Sequence, residues 1–170
     1  VIDKSVQKMR SRHPHIFLKD SSIKSIEDVN NFWELQKKKE RKNKGANSIL
    51  DGISISLPAV TRSLKLQKRA AKEGFDWKKS EDTLKKVKEE LNELAFEMKA
   101  NNKRKIREEL GDLLFSCINL SRKLEIDTET VIRESNRKFE KRFKKMEKKM
   151  NKKSLKWVIE NLEKEWQNSK

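Results

Sequence analysis

Glu89-Glu90-Leu91-Asn92-Glu93, answered further along by Glu109-Leu110-Gly111-Asp112, decides how this chain is read. Both stretches lie where apolar residues recur every three or four positions: Leu84, Val87, Leu91, Leu94 and Met98 around the first, and Ile106, Leu110, Leu113, Cys117, Leu120 and Leu124 around the second. That period belongs to amphipathic helices. At about 100° per residue, Glu90 and Glu93 fall roughly 60° apart on the flank of one apolar stripe, and Glu109 and Asp112 do the same on the other. If the two stripes pack against each other, four carboxylates meet along one edge of the seam. Two carboxylates about 4 Å apart repel by roughly 4 kcal/mol at an effective dielectric near 20, so such a nest calls for protons or a cation. An all-oxygen donor set suits a hard divalent ion, and Mg²⁺ binds to a few carboxylates while keeping positions for water and phosphate oxygens. The competing account is a solvated helix face whose glutamates pair with Lys86 or Lys105 and do no chemistry.

Working outward, the remaining helices are marked by their caps. Ser25 with Asp28 has the form of a capping box and predicts a helix from Ile26 to Lys42. Asn43 to Ser56, with Gly45 and Gly52, is the one long loop expected. Pro58 suits a first helical turn, and Gly74 closes the helix it opens. Ser80 is placed to cap the first carboxylate helix, and Asp127 to cap one from Thr128 to Met150 with Val131, Ile132, Ser135, Phe139, Phe143 and Met146 as its core. Ser154 predicts the start of a last helix carrying Leu155, Ile159, Leu162 and Trp166. Gly111, between two acids in mid-helix, costs about 1 kcal/mol relative to Ala. Close helix approach at the metal is the expected reason.

The composition agrees with long amphipathic helices: 34% hydrophobic and 41% charged residues, four Gly and two Pro in 170 residues. No apolar run is long enough for a membrane span and no signal-type segment is evident, so a cytoplasmic protein is expected. Cys117 has no partner for a disulfide and reads as a buried, inert thiol. His13 and His15, separated by Pro14, make a poor metal pair without a third ligand. The net charge of +16 includes a surplus of nine between Arg133 and Lys156, where twelve residues are basic and three acidic. Solvated surface, general attraction of polyanions and nucleic-acid recognition all fit that charge, but no aromatic residues are interleaved with the lysines as stacking platforms.

The combined motif is more specific than its parts. E-E-x-x-E followed by E-x-x-D and Leu113-Leu114-Phe115, with Gly74-Phe75-Asp76-Trp77 upstream and Asn119-Leu120-Ser121-Arg122 and Asn136-Arg137-Lys138-Phe139-Glu140-Lys141-Arg142-Phe143 downstream, resembles the MazG family of nucleoside triphosphate pyrophosphohydrolases. The resemblance runs from about Trp33 to Trp166. It implies an all-α antiparallel helical bundle that works as a homodimer with composite sites, with both carboxylate helices packed on the Thr128 to Met150 helix. It implies Mg²⁺-dependent hydrolysis of a nucleoside triphosphate to the monophosphate and pyrophosphate, with broad specificity, Mn²⁺ as a substitute ion and a house-cleaning role in the nucleotide pool. By position, Glu90, Glu93, Glu109 and Asp112 resemble the metal ligands. Lys86, Lys138, Arg142 and Trp166 resemble the nucleotide contacts, and Glu89 is the first candidate for orienting or deprotonating the attacking water. Lys138 and Arg142 flank an apolar stripe, where surface charge is the plainer account of two basic residues.

Val1-Ile2, Ser5, Lys8, Met9 and Arg12 match Val131-Ile132, Ser135, Lys138, Phe139 and Arg142 at a constant offset. This predicts three parts: residues 1–18 as the tail of a truncated upstream MazG-like domain, 19–56 as a linker helix and loop, and 57–170 as the catalytic domain. Two other readings are kept: a specialised relative acting on dUTP, dCTP or phosphoribosyl-ATP, and a basic helical nucleic-acid-binding module without the activity.

Overall fold

The computed structural model describes residues 2–12, 25–43, 45 and 47–169. His13, His15 and the stretch around them lie outside the described residues, and so does Val1 of the internal match. The chain forms two compact units, Val1–Ser56 and Leu57–Lys170, and every regular element among the described residues is an α-helix.

In the first unit α1 (Ile2–Arg12) contacts α2 (Ile26–Asn43). The capping box forms as the sequence predicts: Asp28 N–H donates to Ser25 Oγ at 3.0 Å, and Ser25 N–H to Asp28 Oδ2 at 2.9 Å. Two donors that the first turn would leave unpaired are thereby satisfied.

The second unit contains α3 (Ala59–Lys72), α4 (Ser80–Lys99), α5 (Lys103–Lys123), α6 (Thr128–Lys152) and α7 (Ile159–Gln167). Pro58 sits at the N-cap of α3, and Gly74 closes that helix at φ +90°, a conformation that side chains with a Cβ disfavour. The α4–α5 hairpin is the best-packed pair of the molecule. It turns on Ala100, Asn101 and Asn102. Asn101 takes a left-handed conformation at φ +52°, and the Asn102 side chain caps α5 by accepting from Lys105 N–H at 3.3 Å. Ser80 is the first residue of α4 and makes no capping bond; its hydroxyl goes to Glu81 instead. α3 packs across α5, where buried Gln67 donates through Nε2 to the Phe115 carbonyl at 2.9 Å.

α6 departs from the expected packing. It starts under the predicted cap, with Asp127 Oδ1 accepting from Thr130 N–H at 2.7 Å, but every residue from Val131 to Glu140 is exposed and its contact with α5 is slight. Within one chain the carboxylate hairpin is therefore not seated on α6. Val131, Ile132 and Phe139 are not core; besides Thr128 at its start, the buried residues of α6 are Met146 and Met150, in the half that packs on α7. The last helix begins at Ile159 rather than Ser154, because Ser154 takes φ +48° and breaks the chain direction there. Cys117 is exposed, contrary to the reading of a buried thiol.

Candidate functional site

The hairpin places the paired acids as its periodicity requires. Glu90 on α4 and Glu109 and Asp112 on α5 each offer an oxygen, and these three oxygens lie within 4.8 Å of one another. Glu90 is 5% exposed, Glu109 half-buried and Asp112 open to solvent. Glu93 stands beside this group rather than in it. With Asn92, Phe96, Glu97 and Glu109 it lines an adjoining pocket of about 370 Å³. Burial, and then repulsion from Glu93, push the Glu109 carboxyl above its ordinary range, with smaller repulsions from Asp112 and Glu90. Three converging carboxylate oxygens, one of them desolvated, match the donor chemistry of a hard divalent cation.

Lys86 is the cation the chain itself supplies. Its Nζ lies 2.7 Å from both Glu89 Oε1 and Glu90 Oε1, and these hydrogen bonds, Glu89's first, hold the ammonium far above its usual range. The pairing account of the glutamates is thus correct for Glu89 and Glu90. It fails for Lys105, which goes to Glu108 at 3.1 Å. Glu89 is exposed and bound to Lys86, outside the trio of converging oxygens.

The other expected contacts gather elsewhere in the unit. Arg142 on α6 lies over the Trp166 indole of α7, its guanidinium carbon 4.4 Å from the ring centroid. Phe139 packs against the same indole at 5.3 Å and Phe143 against Trp157 at 6.2 Å. Phe139, Phe143, Met146, Trp157, Leu162, Glu163 and Trp166 line an apolar pocket of about 230 Å³. Arg142 Nε and Nη2 are buried without hydrogen-bond partners. Two desolvated guanidinium donors left unpaired are costly, and an anion reaching them would recover that loss. Lys138 is exposed and makes no ion pair among the described residues. No hydrogen bond or ion pair among those residues joins Lys138, Arg142 or Trp166 to the carboxylates. The expected site residues thus form two separate groups within the unit, the carboxylates on the hairpin and Arg142 with Trp166 on α6 and α7.

Sequence reasoning gave no role to the residues that hold the open end of the hairpin. Asp76, in the α3–α4 connection, accepts from Arg122 Nη2 at 2.5 Å, Arg122 Nη1 at 3.2 Å and Lys123 Nζ at 3.3 Å. Arg122 Nε donates to buried Asn119 at 2.8 Å, and Lys123 Nζ to the Trp77 carbonyl at 2.7 Å. The only signal was that Asp76 and Arg122 lie inside two of the motif stretches, with Lys123 directly after the second. At the other end of the unit, Lys153 holds Glu165, whose side chain is 2% exposed, and fixes the turn into α7.

A helical hairpin with facing acids one turn apart on each arm defines a class of all-α proteins built around a carboxylate-lined seam. Residues 78–147 match the family described as the MazG nucleotide pyrophosphohydrolase domain. It is 39% identical over 168 residues to the nucleoside triphosphate pyrophosphohydrolase of Escherichia coli (strain K12), an alignment covering 96% of this chain and 64% of that protein. It is also 39% identical over 170 residues to the nucleoside triphosphate pyrophosphohydrolase/pyrophosphatase MazG of Thermotoga maritima, of which it spans 62%, and 37% identical to the uncharacterized protein YabN of Bacillus subtilis, of which it spans 34%. The chain thus spans less than two thirds of the length of each of these relatives.

Proposed function

We propose that this chain hydrolyses nucleoside triphosphates to the monophosphate and pyrophosphate, with residues 57–170 as the catalytic domain, 19–56 as a linker helix and loop, and 1–18 as the tail of an upstream copy. The observation that carries this reading is the convergence of Glu90, Glu109 and Asp112 oxygens within 4.8 Å in a domain of this family. The names of the relatives from E. coli and T. maritima point the same way. These three carboxylates, with Glu93 beside them, would hold Mg²⁺, or Mn²⁺ in its place. Such an ion supplies charge neutralisation for the phosphates and a water of lowered pKa.

The chain's own residues do the rest. Arg142 presents two unpaired, desolvated donors for phosphate oxygens, with Trp166 holding its guanidinium plane. Lys138 adds a mobile point charge one helical turn away. Lys86 pairs with both Glu89 and Glu90, and Glu89, once released from Lys86, is the carboxylate free to accept a proton from the attacking water. A homodimer brings the two half-sites together by seating the α6 of one protomer on the exposed hairpin face of its partner.

The test is pyrophosphate release from the common ribo- and deoxynucleoside triphosphates in the presence of Mg²⁺. Activity is expected in the intact chain and is expected to vanish in Glu93→Gln and Asp112→Asn, with helical content unchanged. Near-normal turnover in both variants would remove the metal-site assignment.

A further inference from the structure

The outward face of α6 carries a feature that the hydrolytic reading does not use. Arg137, Lys141, Lys144, Lys145, Lys148 and Lys152 are all exposed, and none makes an ion pair or side-chain hydrogen bond among the described residues. At about 100° per residue, Arg137, Lys141, Lys145, Lys148 and Lys152 fall within roughly 80° of arc and Lys144 borders them, opposite the face that bears Phe143, Met146 and Met150. The acids of the helix do not interrupt this stripe: Glu140 and Glu147 lie on one flank, and Glu134 marks its N-terminal limit. Lysines three and four residues apart on a helix destabilise it by about 0.2–0.5 kcal/mol per pair. Here 137–141, 141–145, 144–148 and 148–152 all repel, and no ion pair among the described residues offsets them.

We propose that this stripe is a docking surface for the phosphate backbone of a nucleic acid, bound without regard to sequence. From Arg137 to Lys152 the helix rises about 22 Å. One strand of a duplex presents a phosphate about every 3.4 Å, so six or seven phosphates face six cations over that length. A lipid surface fits less well. A helix lying on a membrane needs its apolar residues beside its cations, and here Phe143 and Met146 are turned toward α7, Trp157 and Trp166. The absence of aromatic residues from the stripe leaves no platform for reading bases, so backbone attraction is all it offers.

The experiment measures binding of the intact chain to labelled 20-base-pair duplexes of two unrelated sequences by fluorescence anisotropy, across about 50 to 200 mM salt. Equal affinities are expected, with log Kd rising with log salt at a slope of about 4 to 5, or several hundredfold across that range. The variant Lys141→Gln/Lys145→Gln/Lys148→Gln/Lys152→Gln should lower the slope by about 3 and weaken binding at least tenfold. The control Lys78→Gln/Lys79→Gln/Lys88→Gln/Lys99→Gln makes the same change in net charge at exposed positions on or next to α4, and should change little. Equal losses in the two variants would show that overall charge and not the stripe binds. Stronger binding to phosphatidylserine vesicles than to either duplex at the same salt would assign the surface to lipid. Either result overturns the proposal. Because the readout is binding, it stands or falls separately from hydrolysis.

Discussion

Arg142 is the residue whose surroundings say most about what is missing around it. Its guanidinium is braced on Trp166 while Nε and Nη2 remain buried and unpaired, an arrangement suited to a planar, bidentate phosphate contact. Arg142→Ala should lower kcat/KM by about 10² or more, the equivalent of roughly 2 to 4 kcal/mol. Arg142→Lys should keep most of that loss, because a point charge cannot reproduce the fork. Lys141→Ala, next to it but exposed, should change kcat/KM less than about threefold. Equal small effects at both positions would reduce Arg142 to surface charge. Glu109 gives a second expectation at this scale. Its carboxyl is pushed above its ordinary value of 4.5, so the associated stability is present below that value and lost as pH rises through the folded one. At neutral pH the metal-free acids therefore strain the hairpin. Asp112→Asn should melt no lower than the wild type without divalent ions, and millimolar Mg²⁺ should raise the melting temperature of the wild type alone. A variant that melts well below the wild type without metal contradicts the strained nest.

The helices show what was legible in the sequence. Their number and type in the second unit follow from apolar periodicity, and two caps, Ser25 with Asp28 and Asp127, form as the local chemistry predicts. Glu90, Glu109 and Asp112 met because two helices of matched period and a three-residue turn leave little choice of register. What periodicity could not supply was the partner of each apolar face: the stripe of α6 reads as core in sequence, yet its N-terminal half is exposed. Nor could it reveal long-range polar pairs, of which the Asp76–Arg122 clamp is the main case. That clamp ties the α3–α4 connection to the end of α5. Asp76→Asn should therefore destabilise the second unit by about 2 kcal/mol at pH 7, the worth of charged hydrogen bonds in a partly buried setting. Arg122 holds the Asp76 carboxyl below its ordinary 3.8, so this stability is present above that pH and disappears as pH falls through the lower folded value. Urea titrations at pH 7 and pH 2.5 should show the variant's deficit shrinking at the acid end; a deficit independent of pH would mean that packing, not charge, is lost.

At the scale of the whole molecule, the second unit leaves large apolar side chains uncovered on three of its helices. Leu91, Phe96 and Met98 on α4, Leu110, Leu114 and Phe115 on α5, and Val131, Ile132 and Phe139 on α6 are all exposed. Single exposed apolar residues are ordinary, but this many on neighbouring helices make an interface worth testing. A homodimer that buries part of this set also supplies the contact between α6 and the hairpin proposed above. Leu114→Glu should then shift the chain toward monomer in analytical ultracentrifugation and lower hydrolysis with it, whereas a monomeric wild type with full activity would contradict the composite site. No helix among the described residues is long and apolar enough to cross a membrane.

Gly111 turns that question into one that a single methyl group can answer. A Cβ placed there would meet nothing within 4 Å, so close approach of another helix of the described structure does not explain the glycine. In a helix interior, Gly111→Ala should therefore raise the stability of the isolated chain by about 1 kcal/mol. If the same methyl group instead weakens association or slows hydrolysis, the space beside Gly111 is already spoken for by something that this chain does not contain. The glycine then acts as a gauge, sitting between the two acids of α5, of how closely a second molecule approaches the seam.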